Sequence, residues 1–318
     1  MSFARLKKAS HLLILPLLML AGTLALAPGA MASPAHHTQQ PITWHVNVSF
    51  ETAHHRMDGM VFLPSEVWIN QGDTIVWTVK SGEIHTVTLL ASGQQQPPFN
   101  PGDPAQLFPQ GGSTYDGHSY FNSGIMTTLP EASGFGFAAQ TYKLAFGATG
   151  DFTALCLVHP GMAMTIHVRP AGTEYPFTQQ QYDAQNARTR AQLIAQGNRL
   201  ASEARRISNN HFVVVGTGND MVDVMRFFPK TVRIHVGETI GFSNHSMGPH
   251  TVTFGQEQAN IFVPYGDPTA FDGTSPLNSG LLLGPASFSV TFTTPGTFHY
   301  FCALHDYLGM VGTVIVLP

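Results

Sequence analysis

The chain has 318 residues, of which 43% are hydrophobic and 11% are charged, and its formal net charge is −4. This composition excludes an intrinsically disordered chain and a coiled coil, and it lacks the basic footprint of a nucleic-acid-binding protein. The length predicts about two domains, and the 31 glycines and 22 prolines are typical of β-domains with many turns.

The N-terminus has the pattern of an export signal. A positively charged start precedes an apolar stretch at residues 12–27, and Ala30-Met31-Ala32 is a small-x-small cleavage pattern. We therefore expect residues 1–32 to be a signal peptide that is cleaved near Ala32. The mature protein would be exported to a periplasm, a cell surface or the medium. The alternative is an uncleaved membrane anchor, for which the stretch is short and contains Pro16.

An internal repeat defines two domains. Residues 60–77 align with residues 225–242 at a constant offset of 165, and the match continues from His85-Thr-Val-Thr to His250-Thr-Val-Thr. Within each copy, short runs alternate apolar and polar residues between turn residues, which predicts antiparallel strands and a β-sandwich. We assign one domain to residues 33–175 and the other to residues 211–318.

The segment between the repeats, residues 176–210, is rich in Ala, Gln and Arg. Alanines at positions such as Ala184, Ala187 and Ala191 recur at helical spacing, so we predict a helix that is capped by Thr178 and weakened by Gly197. This linker helix is expected either to pack on one domain, or to fix the domain–domain geometry or mediate a homo-oligomer.

Each repeat carries two histidines, one cysteine and one methionine in the same order. These residues are His85, Cys156, His159 and Met162 in the first repeat, and His250, Cys302, His305 and Met310 in the second. One thiolate, two imidazoles and a weak thioether form the ligand set of an electron-transfer copper. We therefore predict two copper ions that cycle between Cu(I) and Cu(II).

Three alternatives compete with this interpretation of the residues. The two cysteines could form a disulfide, although a bridge between equivalent positions would have to join the ends of two separate sandwiches. A lone histidine is more often a core residue than a ligand, but here each has three partners in register. Met164 competes with Met162 for the axial position, and the alignment of Gly161-Met162 with Gly309-Met310 favours Met162.

At these residues the chain resembles the cupredoxin family. The second loop, Cys-x2-His-x4-Met, is similar to that of plastocyanin, and the first, Cys-x2-His-x2-Met, is similar to that of amicyanin. The resemblance implies an all-β fold, with two cupredoxin-like Greek-key β-sandwiches joined by the helical linker. It implies an electron-transfer function, with His159 and His305 at the surface edge passing electrons to an unidentified redox partner protein. No small-molecule substrate is expected.

The cupredoxin fold also occurs in copper enzymes, so nitrite reductases and multicopper oxidases are the competing class. Those enzymes need additional histidines, in His-x-His pairs or directly before the cysteine. Here Leu155 precedes Cys156, Phe301 precedes Cys302, and His-x-His does not occur. We expect an electron carrier and not an enzyme. A copper carrier or storage protein is a third class.

Two further features lie outside the ligand set. Asn244 resembles the family's asparagine that steadies the thiolate loop, and the aligned residue in the first domain is Val79. This difference predicts unequal potentials, which would suit directional transfer inside the chain. The run from His54 to Met60 is rich in His and Met. We interpret it as a solvated loop, with an accessory copper-loading site as the alternative.

Overall fold

The computed structural model describes residues 40–318, so the predicted signal peptide lies outside the described residues. Within that range the chain forms four β-sheets, arranged as two sandwiches, and one long helix. The all-β prediction of two Greek-key cupredoxin sandwiches is confirmed. No helix between residues 40 and 318 is long and apolar enough to cross a bilayer.

The first sandwich contains ten strands and one short helix. They are β1 (Thr43–Val48), β2 (Phe62–Leu63), β3 (Glu66–Asn70), β4 (Thr74–Val79), β5 (Thr88–Leu89), α1 (Pro104–Leu107), β6 (Thr114–Tyr115), β7 (Phe121–Asn122), β8 (Thr141–Phe146), β9 (Gly150–Leu155) and β10 (Ala163–Arg169). One sheet has the order β2-β1-β4-β8-β6, and the other has the order β3-β10-β9-β5-β7. A one-turn 3-10 helix, Ala53–His55, follows β1.

The second sandwich repeats this plan with nine strands. They are β11 (Phe212–Gly218), β12 (Asp223–Phe228), β13 (Thr231–His235), β14 (Thr239–His245), β15 (Thr253–Phe254), β16 (Leu277–Asn278), β17 (Ser287–Thr291), β18 (Gly296–Phe301) and β19 (Val311–Leu317). The sheet orders are β12-β11-β14-β17 and β13-β19-β18-β15-β16. A 3-10 turn, Asp306–Leu308, precedes β19.

The strand pairing is mixed, whereas the sequence predicted antiparallel strands throughout. β1 pairs with β4 and β3 pairs with β10 in parallel, and the second sandwich repeats both parallel pairs. The alternation of apolar residues defines which face is buried, but it does not reveal strand direction. The offset of 165 holds at the tight turns, where Gly72 and Gly237 both adopt a positive φ.

The linker helix, α2 (Gln179–Ile207), begins at the predicted cap Thr178 and ends at Ser208. Its first half contacts the first sandwich, where the Tyr182 hydroxyl accepts a hydrogen bond from the Trp68 backbone N–H. Its second half packs Ala201 and Ala204 against β11 and β12. The helix therefore fixes the relative position of the two domains, and its homo-oligomer role remains a prediction.

Two details of the helix differ from the expectation. Ala184, Ala187 and Ala191 are exposed, because the buried face begins at Tyr182 and continues through Leu193. Gly197 does not only weaken the helix. A Cβ atom at Gly197 would lie 2.5 Å from the sulfur of Met57, so glycine permits this part of the first domain to lie against the helix.

The run from His54 to Met60 is the junction between the domains, and its interpretation as a solvated loop is wrong for its second half. Met57, Asp58 and Met60 are buried. The Asp58 and Asp223 backbones exchange hydrogen bonds of 2.8 and 2.9 Å, and Met60 packs into the second core. Met57 and Met60 belong to two different apolar clusters at the junction, and the accessory copper site stays an alternative prediction.

Candidate copper sites

The first candidate site lies at one end of the first sandwich. His85 comes from the loop after β4, and its backbone exchanges two hydrogen bonds of 2.8 Å with Met126. Cys156 directly follows β9, and Met162 directly precedes β10. The Cys156 N–H donates to the Met162 carbonyl at 2.9 Å, which closes the loop between these two strands. One loop that is distant in sequence and one tight loop therefore supply the four side chains.

The polar atoms of this site converge on one point. Cys156 Sγ lies 3.9 Å from His85 Nδ1 and 3.6 Å from His159 Nδ1, and the two Nδ1 atoms are 3.2 Å apart. A point equidistant from these three atoms would lie about 2 Å from each, which matches the length of metal–imidazole bonds. Cys156 and His85 are fully buried, while His159 is partly exposed.

The second site repeats this geometry. Cys302 Sγ lies 3.7 Å from His250 Nδ1 and 3.4 Å from His305 Nδ1, and the two Nδ1 atoms are 3.1 Å apart. The Cys302 N–H donates to the Met310 carbonyl at 3.1 Å. Both cysteines are unpaired, so the disulfide alternative is wrong. Within residues 40–318, three or more potential metal ligands come together in these two clusters.

The chemistry of the donor atoms fits a soft cation. Burial lowers the pKa of His159 to about 4 and that of His250 to about 3, so both imidazoles are neutral at pH 7. Burial also raises the pKa of Cys302 to about 11 and raises the pKa of Cys156. Each site therefore brings two neutral imidazoles and one sulfur together around a single point. Copper would stabilise the thiolate and release its proton.

The methionine positions favour Met162 and Met310 as axial ligands. Met310 is fully buried beside Cys302, and Met162 is buried beside Cys156. The competing Met164 lies inside the core, where its sulfur accepts a hydrogen bond of 3.3 Å from the Trp77 indole N–H. That contact commits the Met164 sulfur to Trp77.

The backbone hydrogen bond to the cysteine sulfur is the same in both domains, which corrects the expectation for Asn244. The Thr86 N–H reaches Cys156 Sγ at 3.4 Å, and the Thr251 N–H reaches Cys302 Sγ at 3.3 Å. Asn244 instead donates to the carbonyls of Gly248 and Leu282, so it supports the histidine loop and does not contact the thiolate. The Val79/Asn244 difference therefore gives no reason for unequal hydrogen bonding to the two sulfurs.

The outward histidines do not both lie at a surface edge, which corrects a second expectation. The side chain of His159 is 14% exposed and that of His305 is 8% exposed. The Nε2 atoms of both point toward Glu83, a carboxylate buried between the two domains. The two outward histidines thus lie close to the domain junction, where Glu83 covers their Nε2 atoms.

The sequence reasoning missed a buried acid cluster, which we define as Asp58, Glu83 and Asp223. Asp58 Oδ1 lies 4.0 Å from His85 Nε2, and Asp223 Oδ2 lies 4.0 Å from His250 Nε2. Burial raises the pKa of Asp58 to about 7 and that of Asp223 to about 6. The two aspartates lie at the repeat offset of 165, which was an available signal. Glu83 aligns with Gly248 and had no such signal.

Comparison with known proteins places this geometry in a family. The sequence model described as "Copper binding proteins, plastocyanin/azurin family" matches residues 213–317, which is the second sandwich. Chloroplastic plastocyanin of Chlamydomonas reinhardtii is 30% identical over 129 residues, covering 40% of this chain and 83% of the relative. Plastocyanin of Sambucus nigra is 36% identical, covering 29% of this chain and 88% of the relative.

The chain belongs to the plastocyanin/azurin family of copper-binding proteins. Plastocyanin of Prochlorothrix hollandica is 38% identical, and the match covers 28% of this chain and 60% of that relative. The match to chloroplastic plastocyanin of Physcomitrium patens covers 49% of the length of that relative. Among solved structures, a purple cupredoxin from Nitrosopumilus maritimus is 25% identical. It covers 33% of this chain and 98% of its own length, with a TM-score of 0.24. The sequence matches show that the chain contains a plastocyanin-like copper-binding domain.

Proposed function

We propose that this cupredoxin is an exported electron-transfer protein that holds two mononuclear type 1 coppers, one in each domain. His85, Cys156, His159 and Met162 would hold one ion, and His250, Cys302, His305 and Met310 would hold the other. The observation that carries the proposal is the duplicated convergence of one cysteine sulfur and two histidine Nδ1 atoms.

Copper supplies a one-electron couple between Cu(I) and Cu(II) when it is bound. The protein's part is to hold the four ligands in one geometry that suits both states. Each thiolate loop is fixed by the hydrogen bond from the cysteine N–H to the methionine carbonyl and by a threonine hydroxyl. Thr86 Oγ1 accepts from the Leu157 N–H at 2.8 Å, and Thr251 Oγ1 accepts from the Ala303 N–H at 2.7 Å.

We propose an electron carrier and not a copper enzyme. Leu155 and Phe301 occupy the positions directly before the cysteines, so no histidine there could join the copper site to a catalytic metal. Within residues 40–318, the potential metal ligands come together in two groups, and each is a His, Cys and His group assigned above to a type 1 copper. A nitrite reductase or an oxidase would need a further histidine-rich site. No small-molecule substrate or nucleic-acid partner forms part of the proposal.

The external partner is a redox protein that contacts the first site. Pro160 and Gly161, directly after His159, are exposed, while His305 of the second site is buried. The electron would therefore enter or leave through the edge formed by His159, Pro160 and Gly161. Export is proposed from the signal pattern that ends near Ala32.

The test is to load the mature protein with copper, count the ions, and record its visible spectrum. We expect two ions per chain and an intense thiolate-to-copper band. Cys156→Ser and Cys302→Ser should each remove about half of that band, because a serine oxygen cannot replace the thiolate. A colourless protein would overturn the proposal. Extra coppers with nitrite or oxygen turnover would indicate an enzyme, and loosely held copper would indicate a copper carrier or storage protein.

A further inference from the structure

The two copper sites face each other through the acid cluster of Asp58, Glu83 and Asp223. In all four ligand histidines, Nδ1 points into the site and Nε2 points toward a carboxylate of this cluster. The backbones of Asp58 and Asp223 are hydrogen-bonded to each other. The edges of the two sites therefore meet inside the protein, at the junction between the domains.

Glu83 is the one member of the cluster that touches a ligand histidine of each domain. Its Oε1 lies 3.9 Å from His159 Nε2, and its Oε2 lies 3.5 Å from His305 Nε2. These are through-space contacts at van der Waals distance, longer than a direct hydrogen bond. Glu83 is 4% exposed, and within the described residues its Oε2 has no hydrogen-bond partner. The carboxylate thus spans the gap between the two sites.

The first repeat carries this glutamate and the second repeat does not. Gly248 occupies the aligned position in the second domain, and a Cβ atom there would lie 2.9 Å from Asp223 Oδ2. The neighbouring Gly82 brings the domains close, since a Cβ atom on it would lie 2.9 Å from Leu308 Cδ2 of the second site. A side chain at position 248 would therefore collide with Asp223, and the glutamate is present on the first-domain side alone.

We infer that the two sites exchange an electron inside the chain through His159, Glu83 and His305. The donor site is oxidised and the acceptor site is reduced by one electron, and no bond is made or broken. Glu83 is a positioning residue, because it contacts both histidines without contacting either metal position. The inference rests on the proposed function, since it requires an electron-transfer metal in both sites. Glu83 is buried and lies within 4 Å of both histidines, so the route between the two imidazoles runs through protein atoms.

The test uses the copper-loaded full chain with Met310→Gln, because a changed axial ligand alters the potential of the second site and so separates the two sites. A radiolytic pulse adds one electron, and the redistribution between the sites is then followed in the visible bands. We expect a first-order phase whose rate is independent of protein concentration. Adding Glu83→Ala should slow that phase about tenfold, because alanine removes the outer partner that contacts both ligand histidines.

A second readout does not depend on electron transfer. In the Cu(I) protein, the imidazole ¹⁵Nε2 resonances of both His159 and His305 should shift when Glu83 is changed to Gln. The matched control is Glu51→Gln, an acid at the same junction that accepts a hydrogen bond from the Gly82 N–H and contacts no ligand histidine. The control should leave the exchange rate and both resonances unchanged.

The outcomes separate the bridge from the proposed function. A copper count below two, or absence of a thiolate band, contradicts the proposed function. With both bands intact, an exchange rate that is unaffected by Glu83→Ala, or one that rises with protein concentration, overturns the bridge. If Glu83→Ala does not fold, Glu83→Asp keeps the charge but is one methylene too short to span both histidines. It should slow the exchange as well, and an unchanged rate overturns the bridge.

Discussion

The two copper loops have the same ligands but different lengths, and the difference decides what each site faces. In the first domain two residues separate His159 from Met162, and Pro160 and Gly161 are exposed. In the second domain four residues separate His305 from Met310, and the first three of them form the 3-10 turn Asp306–Leu308. That turn places Leu308 against Gly82 of the first domain.

This comparison shows how one fold can produce two different sites without changing a ligand. The short loop leaves its histidine edge partly open to a partner protein. The longer loop covers its histidine edge with the other domain. Since the thiolate hydrogen bonds are the same in both domains, any difference in potential should come from exposure and from the acid cluster. Four predictions test this contrast, from the largest expected effect to the smallest.

Leu308→Ala should be the most damaging change. Leu308 is 1% exposed, and its loss leaves a cavity at the domain junction, which costs about 2–5 kcal/mol in the free energy of unfolding. The thiolate band of the second site should shift or weaken, while that of the first site stays. Chemical denaturation and visible spectra measure both effects. Leu283→Ala is the control, because Leu283 is 60% exposed. A loss below about 0.5 kcal/mol for Leu308→Ala would contradict this packing.

Asn244→Ala should destabilise the second domain by about 2–3 kcal/mol. The side chain donates to the Gly248 and Leu282 carbonyls and accepts from the Ser246 N–H, so its removal leaves buried polar groups unpaired. The copper affinity of the second site should fall, whereas its visible band should shift little, because Asn244 holds the histidine loop and not the thiolate. Asn198→Ala, on the exposed face of α2, is the control. A large shift of the band would instead indicate that Asn244 steadies the thiolate loop, as the sequence predicted.

Thr86→Val and Thr251→Val should have effects of equal size, about 1–3 kcal/mol each. Each hydroxyl accepts a hydrogen bond from the backbone N–H directly after its cysteine, and valine leaves that buried donor unpaired. The measurement is the free energy of unfolding of the two copper-free variants, together with the band of each loaded site. Unequal losses of stability would mean that the two threonines do not support their thiolate loops equally.

Gly197→Ala should give the smallest effect, a net change of about 1 kcal/mol or less. Alanine gains close to that amount in helix propensity, but its Cβ atom would press on the flexible end of Met57. The sign of the change in the free energy of unfolding shows whether the Met57 side chain can move aside. Gly112→Ala is the control, because a Cβ atom there meets no other atom within 4 Å. A loss of several kcal/mol would show that the domain junction is rigid at Met57.

Much of this architecture follows from the sequence. The repeat gave the two sandwiches, and the ordered His, Cys, His and Met gave two sites whose polar atoms do converge. Thr178 marked the helix start correctly, because a capping side chain acts locally. The strand directions were missed, since a period of two is the same for parallel and antiparallel pairs.

The relation between the sites could not be read from the sequence. Glu83 has no counterpart in the second repeat, and its importance depends on a fold that brings residues 83, 159 and 305 together. Met57 and Met60 looked like soft metal ligands, but their chemistry equally suits apolar packing at the domain junction. Asn244 matched a family position by type, while its partners were set by tertiary contacts with Gly248 and Leu282.

The central claim is that two copper sites face each other across one domain junction. Electron paramagnetic resonance of the fully oxidised, copper-loaded chain tests it directly. We expect two Cu(II) spins per chain with small copper hyperfine splitting, and a spin–spin interaction that disappears in both Cys156→Ser and Cys302→Ser. A single spin per chain, or two spins whose spectrum is the plain sum of the two single-site variants, would contradict the account.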